Sequence, residues 1–381
     1  MSRLLLRSVA RELLVPLGVW VGSLWLLLFT MQALKGSEIL LGSAVTPGDV
    51  GRLLLYLTPH FLVMALPIAS LLAILLGLGR LSEDRELLAM QALGLSPTRV
   101  LAVAVGMGAV VSGLMALLAC TGQPWGLTAL GGLVSEVIKK NVAGDVKAGV
   151  FYQDLGQLTL YAERVSPEDR LWTNVLIHDD RDPEAPVLVL ARQAKVSPAV
   201  RGEALRLTLS GGEVHRADHS SEDYAAITFE RGDVSVGMEE SISRKNRFGA
   251  PSEALTPFEV LGLAREAEAR QEPSVTWRMA FHRRLGQALS PISLALWGAP
   301  LAMTRKPGGR ARGFLLTIAG YAGYYVLYRF FEQMAFKGHL PVPLAGQLAN
   351  IVLGGLGALA FWTLLRQGTA LRAARRARRS G

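Results

Sequence analysis

The chain has 381 residues, of which half are hydrophobic and 19% are charged, and its formal net charge is +9. A soluble chain of this length ordinarily carries more charge in a more even distribution, so the composition excludes an ordinary water-soluble globular protein. The single cysteine, Cys120, excludes a disulfide within the chain.

Long runs without any charged residue recur along the chain and predict membrane-spanning helices. Crossing the hydrocarbon core of a bilayer takes about 20 apolar residues in a helix. The first run is too long for the apolar core of a cleavable signal peptide, so we interpret it as a retained span. The fifth run is slightly short and ends at Arg329 and Glu332. We predict six spans, at 13–34, 53–79, 99–120, 281–303, 313–335 and 344–365.

The placement of Lys and Arg predicts the orientation of these spans. Basic loops stay in the cytoplasm. The short loops on one side contain three such residues, Lys35, Arg52 and Lys337. The short segments on the other side contain sixteen Lys and Arg residues, and these segments are 1–12, 80–99, 304–312 and 366–381. Both termini are therefore predicted to be cytoplasmic, and the basic tail 368–381 is interpreted as an anchor on anionic lipid rather than a nucleic-acid-binding segment.

The cytoplasmic segment between spans two and three, RLSEDRELLAMQALGLS, combines an acidic start with apolar positions. Ser82 is a candidate N-cap, Glu83 and Asp84 suit the positive end of a helix dipole, and Gly94 suits the residue after the C-cap. These features predict a short helix at about 82–95. Membrane-surface helices ordinarily present basic residues to lipid, so the acidic start favours docking into a groove of a cytoplasmic protein. The predicted apolar strip of this helix consists of Leu87, Met90 and Leu93.

The block between spans three and four predicts a soluble β domain outside the cytoplasm. It carries 20 Lys and Arg and 24 Asp and Glu between Glu136 and Arg284. Short aromatic and β-branched runs alternate with polar residues, and turn residues recur about every ten to fifteen positions, which is typical of an antiparallel sandwich or roll.

The segment TPFEVLGLAREAEARQ after this block predicts a helix that returns to the membrane. Thr256 with Glu259 forms a capping box, and Pro257 suits the first helical position. The predicted fold class is an α-helical membrane protein of six spans with an antiparallel β-jellyroll-like domain inserted between spans three and four. The predicted domains are 1–125 with the cytoplasmic helix, 126–275 with the returning helix, 276–367 with the last three spans, and the tail 368–381.

The sequence contains no motif that assigns catalytic chemistry. It has no G-x-x-x-x-G-K-[ST] loop, no H-E-x-x-H and no paired-cysteine spacing. His215 and His219 are four residues apart, but in a predicted strand-and-turn region where they would not share a helical face. We therefore predict no cofactor, no metal site and no catalytic residues, and we do not expect the chain to be an enzyme.

The whole layout resembles the lipopolysaccharide-export permeases of the LptF/LptG family. The stretches that carry the resemblance are YLTPHFLVMALPIASLLAILLGLGRLSEDRELLAMQALGLSPTRV, GVFYQDLGQLTLYAERVS and FHRRLGQALSPISLALWGAPLAM. The first two spans favour the LptF branch over LptG. The resemblance places the family's coupling glutamate on Glu86, and Arg85 departs from the small polar residue that often precedes it, so an ion pair within the helix would reduce the acidity offered to a partner.

The resemblance implies a bacterial inner-membrane transporter subunit that works with several partners. An LptB-like ATPase homodimer would bind the helix at 82–95 and drive extraction of lipopolysaccharide from the outer leaflet of the inner membrane. A paralogous permease, LptF-like or LptG-like, would complete a heterodimer whose lateral gates are spans one and five. The periplasmic domain would pass the glycolipid to an LptC-like jellyroll protein.

Charged residues near the outer face are further candidates. Lys35 and Arg52 are predicted contacts for lipid A phosphates, with interfacial snorkelling as the alternative. Arg329 and Glu332 can pair at i and i+3 and are gate candidates, with a plain interfacial position as the alternative. Two other functions stay open for the chain as a whole, an ABC permease for another lipid or lipoprotein, and a membrane scaffold or sensor that transports nothing.

Overall fold

The structure is a computed structural model, and it forms two compact units. One unit comprises Met1–Leu34, Leu55–Thr128 and Ala250–Gly381, and the other comprises Lys35–Leu54 and Ala129–Gly249. The residues that the structure describes are 2–35, 46–144, 148–152, 158–166, 171–180, 186–198, 204–217, 224–237, 251–303 and 309–377.

Each predicted span lies within a long helical stretch of the structure. Before the β domain the helices are α1 (Ser2–Lys35), α2 (Pro47–Glu83), α3 (Glu86–Ala92), α4 (Pro97–Leu117) and α5 (Gln123–Gly144), and a π-helical turn (Leu118–Gly122) joins α4 to α5. After the β domain they are α6 (Pro257–Ala269), α7 (Val275–Met303), α8 (Gly309–Phe336) and α9 (Val342–Ala377).

Among the described residues, four helical stretches are long and apolar enough to cross a membrane. These are Leu4–Leu34, Pro47–Glu83, Pro97–Val134 and Val342–Arg366. The other two predicted spans are helical, as α7 with 29 residues and α8 with 28 residues. Gly, Pro and Ser dilute the apolar residues of α7, and Gly and Tyr dilute those of α8. The structure thus supports a multi-pass membrane protein with four candidate spans on these criteria.

Helix α7 lies at the centre of the helical unit, where it packs against α4 and α9. Small residues permit this close packing. A Cβ added at Gly108 of α4 would lie 2.8 Å from the carbonyl oxygen of Pro291 and 3.0 Å from the Cβ of Ala295. These distances are shorter than ordinary van der Waals contact, so a larger residue at position 108 would push the two helices apart.

The β domain is a six-stranded antiparallel sheet in which each strand pairs with its neighbours in the sequence. The prediction of an antiparallel domain is confirmed. The predicted jellyroll is not found among the described strands, since a jelly roll requires Greek-key crossovers and these strands form a simple meander. The strands are β1 (Phe151–Tyr152), β2 (Leu158–Ser166), β3 (Leu171–Asp179), β4 (Val187–Pro198), β5 (Ala204–Ala217) and β6 (Tyr224–Gly237).

The alternation of buried and exposed residues in this sheet is interrupted once, at a single row of residues that crosses the five strands β2 to β6. Leu160 pairs with Ile177, and Ala162 pairs with Val175, so alternate residues carry the core as period two predicts. The next buried position on β3 is Trp172, which is three residues from Val175 rather than two. Two residues at the shift have a left-handed backbone, with φ 50° at Asn174 and φ 63° at Gly211. The shifted row is the set of residues that the paired register passes over, and it consists of Glu163, Asn174, Arg192, Gly211 and Glu230.

Candidate functional site

The predicted cytoplasmic helix is present, but it begins later than the sequence suggested. Helix α2 continues through Glu83, and the amide of Asp84 still donates to the carbonyl of Arg80 at 2.9 Å. Ser82 therefore lies inside α2, and its prediction as an N-cap is wrong. The break comes at Arg85, which has a left-handed backbone (φ 58°) and no side-chain capping bond, and α3 then covers Glu86–Ala92 rather than 82–95.

The end of α3 follows the sequence prediction. Gly94 is left-handed, with φ 94°. Its amide donates to the carbonyl of Gln91 at 3.0 Å, and the amide of Leu95 donates to the carbonyl of Met90 at 3.0 Å. This pair of hydrogen bonds is the Schellman arrangement, which fixes the direction in which the chain leaves the helix.

The three predicted strip residues do not share one exposed face. Leu87 and Met90 are buried and pack into the core of the helical unit, together with Leu95. Leu93 is 62% exposed, and Leu88 is 41% exposed. The reason is geometric, since six residues at about 100° each rotate Leu93 by about 240° from Leu87. A partner could therefore contact Leu88 and Leu93, whereas Leu87 and Met90 hold α3 to its own bundle.

The acidic residues around α3 are exposed to solvent. Glu83, Asp84 and Glu86 all lie on the surface. Arg80 pairs with Asp84 at 3.6 Å. Within the described part of the chain no ion pair joins Arg85 to these carboxylates, so the ion pair that the sequence suggested for Arg85 is not formed. We call the exposed residues Glu86, Leu88 and Leu93 together the outer face of α3; Glu86 and Leu93 lie on one side of the helix, and Leu88 lies about 160° around it from Glu86.

The two cations that the sequence predicts near the periplasmic side of the membrane, Lys35 and Arg52, differ in what the structure shows of them. Arg52 is 57% exposed and lies 3.9 Å from the carboxylates of both Asp49 and Glu136. Asp49 is itself held in place, because it accepts a hydrogen bond from the hydroxyl of Thr46 at 2.7 Å at the start of α2. Arg52 is thus balanced by two carboxylates. Lys35 is the last residue of α1, and its side chain lies outside the described set.

The gate candidates Arg329 and Glu332 do pair, and a third residue joins them. Glu332 in α8 has no exposed side-chain surface, and it forms ion pairs with both Arg329 of α8 and Arg283 of α7. Two guanidinium groups thus share one buried carboxylate, and the cluster links α7 to α8. We call these three residues the arginine–glutamate cluster. Sequence reasoning missed Arg283, because its partner is 49 residues away.

A second polar cluster lies beside the π-helical turn, and sequence reasoning missed it as well. His60 of α2 lies 3.0 Å from the amide nitrogen of Gln123 and 3.6 Å from the carboxylate of Glu253. Gln123 also donates to Glu253 at 3.3 Å. A π-helical turn frequently marks a functional position, and this turn, which only the structure reveals, ends directly before Gln123.

Arg284 clamps the segment that follows the β domain onto the helical unit. Its side chain is almost fully buried, and one Nη donates to the carbonyls of Ser252 at 2.6 Å and Leu255 at 2.5 Å. Thr128 donates to the carbonyl of Ala254 at 3.2 Å. The segment 251–255 is therefore fixed at three successive points, Ser252, Ala254 and Leu255, before the capped start of α6.

Helix α6 begins as predicted, with a capping box. The amide of Thr256 donates to the carboxylate of Glu259 at 2.6 Å, and the amide of Glu259 donates to the hydroxyl of Thr256 at 3.4 Å. The hydroxyl of Thr256 also donates to this carboxylate at 2.8 Å, and the two hydrogen bonds that Thr256 donates hold the pKa of Glu259 below its usual value.

A groove of about 600 Å³ crosses the sheet at the shifted row. Its walls combine apolar side chains with a few polar ones. A Cβ at Gly212 would lie 2.7 Å from the ring of Phe229, so glycine leaves room for that ring. The size suits part of an acyl chain, since ligand pockets ordinarily measure about 300–1,000 Å³. The apolar side chains in its lining include Tyr161, Leu176, Leu190 and Phe229.

Comparison with known proteins identifies the family. The family model described as "Lipopolysaccharide export system permease LptF/LptG" matches residues 7–366, which is most of the chain. A search of curated proteins found no match. The matched family does not separate LptF from LptG, so the preference for LptF remains a prediction. With its apolar helices and its inserted β domain, the chain belongs to the LptF/LptG family of lipopolysaccharide export permeases, a multi-pass transport component of the inner membrane.

Proposed function

We propose that this chain couples ATP hydrolysis in a separate ATPase to extraction of lipopolysaccharide from the outer leaflet of the inner membrane. It works beside a paralogous permease in a heterodimer, with six spans, both termini in the cytoplasm and the β domain in the periplasm. Family membership supports the transport role, and the charge bias of the loops supports the orientation.

The outer face of α3 is the observation that carries the coupling. Glu86 gives it a carboxylate, and Leu88 and Leu93 give it an apolar surface that lies open in this chain. The buried residues Leu87 and Met90 anchor α3 in the core of the helical unit. A force that an ATPase applies to the outer face therefore reaches the core of the helical unit through packed side chains, which are poorly compressible.

The groove of the β domain supports a route for the lipid after extraction. Its apolar walls fit acyl chains, and its polar rim, with Arg192 and Glu230, can face water or a glycolipid headgroup. A periplasmic LptC-like partner would receive the lipid from this domain. Contact of lipid phosphates with Lys35 and Arg52 remains part of the proposal, although Arg52 would have to leave its two carboxylates.

The coupling is tested by co-purification of the ATPase with variants of the outer face. Truncating one partner of an interfacial charge pair costs about 2–5 kcal/mol, so Glu86→Arg should reduce ATPase retention by at least about 30-fold. Leu93→Asp should reduce retention as well, because it places a charge in the apolar contact. Arg99→Glu is the matched control, since Arg99 is exposed at the start of α4 but outside this face.

The co-purification result separates the proposal from its alternatives. Glu86→Arg chains that insert normally and lose the ATPase support coupling through α3. If Glu86→Arg and Leu93→Asp both keep the ATPase and lipid export at the wild-type level, α3 is only a cytoplasmic turn and the coupling proposal is wrong. A wild-type chain that purifies with no ATPase favours the scaffold or sensor.

A further inference from the structure

A cleft of about 340 Å³ lies where the middle turns of α1 and the last turns of α2 meet the start of α8. One face of α1 lines it at every fourth position, with Glu12, Pro16 and Trp20. Trp20 meets the ring of Phe314 from α8 edge to face, with ring centroids 5.3 Å apart. The cleft belongs to neither the outer face of α3 nor the groove of the β domain.

The cleft is polar at one end and apolar at the other. Glu12, Arg80 and Glu83 line its polar end, and Pro16, Leu76 and the two aromatic rings line the rest. Eight residues separate Glu12 from Trp20, which is about 12 Å along a helix. The charged end lies at the border of the first two predicted spans and the apolar end lies within them. That arrangement matches an amphiphile whose headgroup sits at the cytoplasmic surface.

The charges at the polar end favour a headgroup that carries an ammonium group. Arg80 already pairs with Glu12 at 3.3 Å and with Asp84 at 3.6 Å. Glu83 forms no ion pair with any residue that the structure describes, so it is the carboxylate left over. The end of the cleft is thus acidic, although the cytoplasmic segments around it carry sixteen Lys and Arg. An anionic headgroup would be repelled by Glu83, whereas a zwitterionic one satisfies both Glu83 and Arg80.

Two glycines of α2, Gly77 and Gly79, shape the cleft. A Cβ at Gly77 would lie 2.5 Å from the carbonyl oxygen of Glu12, so Gly77 allows α1 to touch α2 at the edge of the cleft. Two residues further on, Gly79 also lines the cleft, but an added Cβ would meet nothing within 4 Å. Position 79 can therefore accept a large side chain that fills the cleft without moving the backbone.

We propose that this cleft binds a phosphatidylethanolamine molecule of the cytoplasmic leaflet. Its ammonium group contacts Glu83, its phosphate approaches Arg80, and the first carbons of one acyl chain lie along Trp20 and Phe314. A bound lipid here would join α1 to α8 at their cytoplasmic ends. The inference rests on the proposed cytoplasmic orientation, but its test measures lipid binding without transport, so its failure would leave the proposed export function intact.

Native mass spectrometry of the full chain, with any subunits that purify with it, tests this proposal. The purified protein is incubated with palmitoyl-oleoyl phosphatidylethanolamine or with the matching phosphatidylglycerol, and bound lipid is counted. Wild-type protein should retain the ethanolamine lipid over the glycerol lipid. Glu83→Gln should lower that retention about tenfold, since one charge-assisted hydrogen bond in a partly dehydrated site is worth about that factor.

Filling the cleft provides the structural arm of the experiment. Gly79→Leu should abolish the retained ethanolamine lipid. Gly113→Leu is the matched control, because position 113 on α4 also has open space for a side chain but lies outside the cleft. Soluble glycerophosphoethanolamine should not displace the lipid, because it lacks the acyl chain. Equal retention of both lipids, or retention that Gly79→Leu leaves unchanged, would overturn the proposal. Displacement by the soluble headgroup would also overturn it, since the site would then bind a free amine.

Discussion

Replacing Glu332 with Gln would leave two guanidinium groups of the arginine–glutamate cluster without their shared carboxylate. The side chain of Glu332 is 0% exposed, that of Arg283 is 27% exposed and that of Arg329 is 47% exposed. Arg329 is half exposed and lies in the last two turns of α8, where its guanidinium can reach the membrane–water interface, so its pair with Glu332 should contribute no more than about 1 kcal/mol. Arg283 is less exposed and lies on another helix, so stranding it should cost about 3 kcal/mol.

A double-mutant cycle separates the two pairs. Unfolding in mixed micelles of a mild detergent and sodium dodecyl sulfate gives the free energy of each variant. We expect a coupling energy of about 3 kcal/mol between Arg283→Met and Glu332→Leu, and of about 1 kcal/mol or less between Arg329→Met and Glu332→Leu. Restoring stability with the Arg283→Met and Glu332→Leu double variant would support the buried pair. Equal couplings, or a Glu332→Gln protein as stable as wild type, would refute the ranking by exposure.

Three further predictions concern the orientation, the clamp and the pH response. In a Cys120→Ser background, Asp180→Cys should react with an impermeant thiol reagent in intact spheroplasts, and Arg99→Cys should react only after lysis; the opposite result would reverse the proposed orientation. Arg284→Lys should raise hydrogen exchange in the segment 251–255 about tenfold, because a lysine ammonium cannot reproduce both short bonds from one planar group, and unchanged exchange would exclude a clamp. The depressed pKa of Glu259 means that its cap contributes full stability above about pH 4.3, the value for an unfolded glutamate, and loses it as pH falls through the lower folded pKa. The protection factor at the start of α6, which is the exchange rate corrected for its intrinsic pH dependence, should therefore fall on acidification in wild type and stay level in Glu259→Gln, and a wild-type response as flat as that of the variant would contradict the lowered pKa of Glu259.

Features that depend on neighbouring residues were predictable from the sequence. The capping box of Thr256 and Glu259 joins residues three apart, and the left-handed Gly94 ends its helix as expected. The helical runs follow from local composition, since an uncharged stretch of sufficient length has few alternatives in a membrane protein. The strip through Leu93 was wrong because a spacing of six residues does not stay on one side of an α-helix.

Features that depend on packing between distant elements were not predictable. The Arg283–Glu332 pair requires that α7 and α8 lie side by side, and nothing in the local sequence around Arg283 distinguishes it from Arg284, which instead holds backbone carbonyls. The shifted row of the sheet depends on the left-handed Asn174, whose conformation is set by its neighbours in the sheet. Period two alone predicted an uninterrupted alternation.

The central claim, ATP-driven movement of lipopolysaccharide through this chain, is tested most directly by photo-crosslinking in vesicles. The vesicles contain this chain, its paralogue, the ATPase and lipopolysaccharide, and a photoreactive amino acid replaces Phe229 in the groove of the β domain. We expect lipopolysaccharide crosslinks at position 229 to accumulate only when ATP is added, and Glu86→Arg to prevent their accumulation. Crosslinks that form equally without ATP, or none while the assembled complex hydrolyses ATP, would contradict the account.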